Sequence, residues 1–161
     1  MKIINNQLDY TNSEEIVSWS EMYATGIKRM DMQHRELVSL TNELYQACLN
    51  GNVEAGFKEI MSRMVEYIRL HFTEEPKILQ QIKYPKYPEH KKQHETLIKN
   101  VLEAVKEYHD GKKFIPNTFV RTLKDWVFSH IAFSDREYAA FIMEQKKKGL
   151  LSDLDIEKLC S

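Results

Sequence analysis

Apolar residues recur at three- and four-residue steps through four long stretches of the chain, the period of a helix with one buried face. One stripe reads Met30, His34, Leu37, Leu44 and Cys48, and a second reads Phe57, Ile60, Met61, Met64, Ile68, His71 and Glu75. A third reads Tyr87, His90, His94, Leu97, Val101, Val105 and Tyr108, and a fourth Phe119, Leu123, Trp126, His130, Tyr138 and Phe141. Histidines and a carboxylate thus sit where core aliphatic residues are expected. The pattern predicts helices over about 29–49, 53–80, 88–109 and 117–146. Asn50-Gly51-Asn52, Tyr84-Pro85-Lys86-Tyr87-Pro88 and Asp110-Gly111 through Pro116 separate them with Gly and Pro punctuation. Connections this short make neighbouring helices antiparallel, so the expected fold is all-α, an up-down-up-down four-helix bundle.

The ends carry weaker patterns. Residues 1–16 read as a polar N-terminal arm, with Val17 and Trp19 packing its end across a core of about residues 17–142. The stretch 147–161 reads as a C-terminal tail, in which Ser152 to Leu159 forms a short helix that turns Leu154 and Leu159 inward. Pro76 removes the helical hydrogen bond to the Phe72 carbonyl, which predicts a kink or an early end to the second helix.

Composition narrows the function classes. The 161 residues are 42% hydrophobic, enough for one domain with a buried core. A formal charge of -1 gives no electrostatic case for nucleic acid or an anionic membrane. No stretch is apolar enough to span a bilayer and no signal-peptide core opens the chain, so a cytoplasmic protein is expected. Cys48 and Cys160 lack C-x-x-C spacing and receive no chemical role. The lysines at 146–148 suit the carboxyl end of a helix, and His109 reads as a surface residue.

The five striped histidines are the candidate chemistry. His71 and Glu75, like His90 and His94, are four residues apart and lie within roughly 40° of each other around a helix. His130 and Asp135 are five apart, roughly 140° around an ideal helix, so a long reach or a π-type irregularity must bring them together. Ligands early in the first and third helices, late in the second and centrally in the fourth meet at one level of an antiparallel bundle. Burying seven such groups without a compensating ion costs roughly 1–3 kcal/mol for each unpaired atom, more for the carboxylates. His34, His71, Glu75, His90, His94, His130 and Asp135 are therefore the expected ligands of two adjacent metal ions.

These residues also carry a resemblance. Gly26-Ile27, Asp31-Met32-Gln33-His34, HFTEE at 71–75, YPEHKKQH at 87–94 and WVFSHIAFSD at 126–135 resemble the single-domain bacterial hemerythrins, non-haem diiron oxygen-binding proteins. The resemblance implies one iron held by His90, His94 and His130, another by His34 and His71, and Glu75 and Asp135 bridging them. With an oxo or hydroxo bridge, one position stays open on the two-histidine iron, where dioxygen would bind. It further implies an apolar oxygen pocket of Leu37, Phe72, Trp126, Val127 and Ile131, with Val127 smaller than the leucine common in the family. Glu74 and Asp31 stand where they could orient ligand imidazoles.

The implied function is reversible dioxygen binding for transport, storage or delivery, with no catalytic residue. Sensing of oxygen, nitric oxide or redox state, and reduction of nitric oxide or peroxide at the same centre, are the alternatives. Ligand type favours binding over oxidation. Carboxylate-rich diiron oxidases use two Glu-x-x-His motifs, and no Glu-x-x-His occurs in this sequence.

Overall fold

The computed structural model describes residues 17–49, 53–111 and 117–159. A 3₁₀ turn, Glu21–Tyr23, leads into α1 (Lys28–Leu49) and α2 (Val53–Gln81). There follow α3 (Tyr87–His109), α4 (Asn117–Ser129), a π-helical turn (His130–Asp135), α5 (Arg136–Lys147) and α6 (Asp153–Leu159). Helix α1 packs against α2 and α4, and α3 against α2 and α4, which closes a four-helix ring. Backbone angles at Ser129 and Arg136 are right-handed helical, so α4, the π turn and α5 form one continuous rod. The predicted connections at 50–52 and 112–116, the arm at 1–16 and Cys160 lie outside the described residues.

Two apolar layers stack along the bundle axis. The larger holds Leu37, Leu44, Met64, Leu97, Leu123 and Val127, all at most 1% exposed. The smaller holds Ile27, Met30, Ile78, Leu79, Tyr138 and Ile142. On each of the four rods the candidate ligands fall between a residue of one layer and a residue of the other. His34 lies between Met30 and Leu37, and His71 and Glu75 lie between Tyr67 and Ile78. The periodicity thus builds a polar stratum clamped between two dry ones.

Helix α2 does not end at Pro76 but continues to Gln81. A mid-helix proline costs about 3 kcal/mol. Ile78, Leu79 and Ile82 beyond it are all buried, and burial of each side chain contributes about 1.5–3 kcal/mol, which offsets that loss. The helix closes one turn later. Lys83 takes the left-handed conformation (φ 56) while Tyr84 N donates to Leu79 O at 2.9 Å and Lys83 N to Gln80 O at 3.1 Å, a Schellman closure. Gly149 (φ 71) ends α5 with the same pair of bonds, Leu150 N to Gln145 O and Gly149 N to Lys146 O.

The ends dock largely as the sequence suggests. Val17 is buried and exchanges two hydrogen bonds with the Asn42 side chain, at 3.0 and 2.8 Å. Trp19 packs on the larger core beneath the Arg35 guanidinium. The tail differs in rotation. Leu154 is 60% exposed and Ile156 enters the smaller core instead, with Leu159 beside it. Ser152 and Asp155 exchange hydrogen bonds across the first turn of α6, a capping box that starts the helix.

Candidate metal centre

All seven predicted ligand side chains converge in the polar stratum, each no more than 4% exposed. Helix spacing delivers the two i,i+4 pairs directly. His130 and Asp135 are delivered by the π turn, of which they are the first and last residues. A turn that closes on the fifth residue returns His130 and Asp135 to one face, where an α-helix would splay them.

The carboxylates organise the imidazoles into two groups. Glu75 Oε1 lies 2.6 Å from His90 Nε2 and 3.0 Å from His94 Nε2. Its other oxygen, Oε2, lies 3.0 Å from His34 Nε2 and 3.2 Å from His71 Nε2. Asp135 repeats the division, with Oδ1 3.1 Å from His130 Nε2 and 3.3 Å from His90 Nε2, and Oδ2 3.0 Å from His34 Nε2. Each carboxylate therefore faces a three-histidine group with one oxygen and a two-histidine group with the other. Glu75, His90, His94 and His130 offer ligand atoms all within 4.8 Å of one another, as do His34, His71 and Glu75.

Several atoms lack the partners that burial demands. Neither Asp135 oxygen has an aligned hydrogen-bond donor, and His94 Nε2 faces His130 Nε2 at 3.0 Å. Two imidazole nitrogens meeting head-on and two orphaned carboxylate oxygens are a donor set that fits cations between them. In the metal-free side chains charge is redistributed. Burial opposes protonation of His34, but Asp135 and Glu75 outweigh it and push its pKa up to about 9. Burial pushes the pKa values of His71, His94 and His130 down. Glu75 stays well below the usual carboxylate range because the surrounding imidazoles overcome its burial.

The outward nitrogens reveal groups that the spacing argument missed. Gln33 Oε1 lies 2.6 Å from His71 Nδ1, and Gln93 Oε1 lies 2.7 Å from His130 Nδ1. Accepting from Nδ1–H fixes each ring with Nε2 pointing inward. Both glutamines directly precede a ligand histidine, Gln33-His34 and Gln93-His94, and that repeated dipeptide was the available signal. The buried Tyr138 hydroxyl donates to Glu75 Oε2 at 3.0 Å, and the Tyr67 ring stacks on His71.

Glu74 does not touch an imidazole. It pairs with Arg29 and accepts from Gln33 Nε2 at 2.7 Å, so it steadies the glutamine that holds His71. Asp31 instead accepts from the Thr25 amide and hydroxyl at 2.7 and 2.8 Å, pinning the turn at Gly26 (φ 84). Two of the five apolar positions lie against the histidines. Phe72 stacks on His94 at 3.9 Å and Trp126 on His130 at 4.4 Å, while Leu37, Val127 and Ile131 are buried in the larger core. His109 is exposed, away from the site.

An antiparallel helical bundle holding five histidines and two carboxylates in a buried layer defines a cation-binding four-helix protein. The profile of the hemerythrin HHE cation binding domain matches residues 25–142, and the chain belongs to the hemerythrin family. It is 35% identical over 127 residues to a bacteriohemerythrin of Clostridium acetobutylicum, covering 74% of this chain and 96% of that one. A bacteriohemerythrin of Stenotrophomonas maltophilia is 30% identical over 124 residues, covering 77% and 80%. The fold is similar to the crystal structure of a wild-type hemerythrin, with a TM-score of 0.69 at 24% identity, over 77% of this chain and 95% of that one. Among the described residues no helix is long and apolar enough to cross a membrane.

Proposed function

We propose that this chain binds dioxygen reversibly at two non-haem irons, for transport, storage or delivery. His90, His94 and His130 would hold one iron and His34 and His71 the other, with Glu75 and Asp135 each offering an oxygen to both groups. The observation that carries this reading is the division of both carboxylates between a three-histidine and a two-histidine group. The unequal histidine count would leave room for a small ligand on the two-histidine side. When bound, the iron pair supplies the position for that ligand and the two electrons that dioxygen takes up reversibly.

The chain's own residues keep the chemistry reversible. Leu37, Phe72, Trp126, Val127 and Ile131 are apolar and exclude water from the site. Gln33 and Gln93 hold His71 and His130 in the tautomer that presents Nε2 inward. Tyr138 keeps its proton, because burial and the charge of Glu75 push its pKa well up, and so remains a donor to that carboxylate. Five neutral imidazoles favour the reduced resting state over the high-valent iron of a carboxylate-rich oxidase. Oxygen uptake by the reduced protein in a closed vessel tests the role. Binding of one dioxygen per chain, recovered under vacuum, supports a carrier. Sustained consumption with a reductant present marks an enzyme instead.

A further inference from the structure

A hydrated dication cannot easily cross the apolar side of this centre, because stripping its water against Leu37, Phe72 and Val127 has no compensation. A polar approach exists on the opposite flank. A surface cavity of about 330 Å³ is lined by Tyr84, Lys86, Glu89, His90, Gln93, Ser134 and Glu137. His90, its side chain only 2% exposed, is both a lining residue and a candidate ligand. Gln93, which holds His130, stands beside it. Lys86 and Glu137 both line the cavity and are joined by an ion pair of 2.7 Å that ties the start of α3 to α5.

We infer that this cavity is the port through which Fe²⁺ enters and leaves the centre, with the Lys86–Glu137 pair as its gate. The inference rests on the diiron reading above. Glu89 and Glu137 replace part of the ion's water at the mouth. His90 then accepts it as the first imidazole of the site. Lys86 opposes entry twice, by its charge and by engaging Glu137. An exposed pair of this kind is worth at most about 1 kcal/mol, so thermal opening is frequent. The cavity would also separate traffic, metal by the polar flank and dioxygen by the apolar one.

Glu89, Glu137 and Lys86 act on the passage and not on the bound ion, so changing them alters uptake and release by the same factor and leaves affinity unchanged. The test measures Co²⁺ uptake by the metal-free protein in stopped flow, and iron release from the reduced holoprotein to a chelator. E89Q/E137Q is expected to slow both by roughly three- to tenfold at low salt, K86Q to speed both, and each effect to shrink as ionic strength rises. Lys99→Gln, which removes an exposed charge that does not line the cavity, leaves both rates unchanged. Rates that ignore the three polar substitutions overturn the port while leaving the centre intact. A change in affinity with unequal rate factors also overturns it, since the residues would then act on the bound ion. A wild-type protein that takes up no metal overturns the diiron reading itself.

Discussion

At the residue scale, hydrogen bonds to the outer imidazole nitrogens decide how firmly the centre is held. Replacing Gln33 with leucine leaves His71 Nδ1–H buried without its acceptor, and such losses in metal sites typically lower affinity about 10- to 100-fold. Competition titration with a chelator checks this, and Gln33→Glu should restore most of the affinity. These glutamines were not legible from periodicity, because a ring's outer partner depends on how neighbouring helices are rotated. Val127 is the other telling position. It is fully buried in the larger core, and a leucine there fills more of that space. Val127→Leu should slow autoxidation severalfold while costing about 1–3 kcal/mol through overpacking. Oxidation followed at the visible band in air, beside a thermal melt, separates the two effects.

At the element scale, the π turn is the feature the sequence announced most clearly. A five-position step from His130 to Asp135 does not suit an α-helix, and the irregularity falls on that interval. Inserting one residue within it, an alanine after Phe133, which is 62% exposed, would put the two candidate ligands six positions apart. It would also rotate α5 against the site by about 100°. The insertion is expected to abolish binding of the second metal and to expose the smaller core, read out by metal content and by circular dichroism. Pro76 was a weaker guide. Of the kink or early end it predicted, the early end does not occur, because the apolar residues beyond it carry α2 onward to Gln81. The tail erred in phase for a related reason. Leu154 and Ile156 are both apolar, and Ile156 is the one that shares a helix face with Leu159, three residues on, and enters the smaller core.

At the scale of the whole molecule, a polar stratum divides two apolar layers, and its charge makes the metal-free bundle sensitive to pH. His34 has a folded pKa of about 9 against an ordinary 6.5, so its contribution to stability is complete below about 6.5 and is lost as pH rises through 9. Metal requires the neutral ring. Metal affinity is therefore expected to climb about tenfold per pH unit between 7 and 9 as the His34 proton is displaced. Melting temperatures of the metal-free protein should fall across that window while those of the loaded protein hold. Titration calorimetry in two buffers of different ionisation enthalpy counts the proton. The candidate ligands were legible in the sequence because all but Asp135 replace a core residue on a periodic stripe. The split of Glu75 and Asp135 between two groups was legible only through family resemblance, since spacing alone does not say which oxygen faces which histidine.

The central claim, reversible dioxygen binding at two irons, is tested most directly by one oxygen cycle on protein of known metal content. The sample is reduced without air, exposed to oxygen, then returned to inert gas while its visible absorption is recorded. Two irons per chain with a charge-transfer band that rises in oxygen and disappears under inert gas is the predicted result. Absence of iron, or a band that forms once and never reverses, contradicts it.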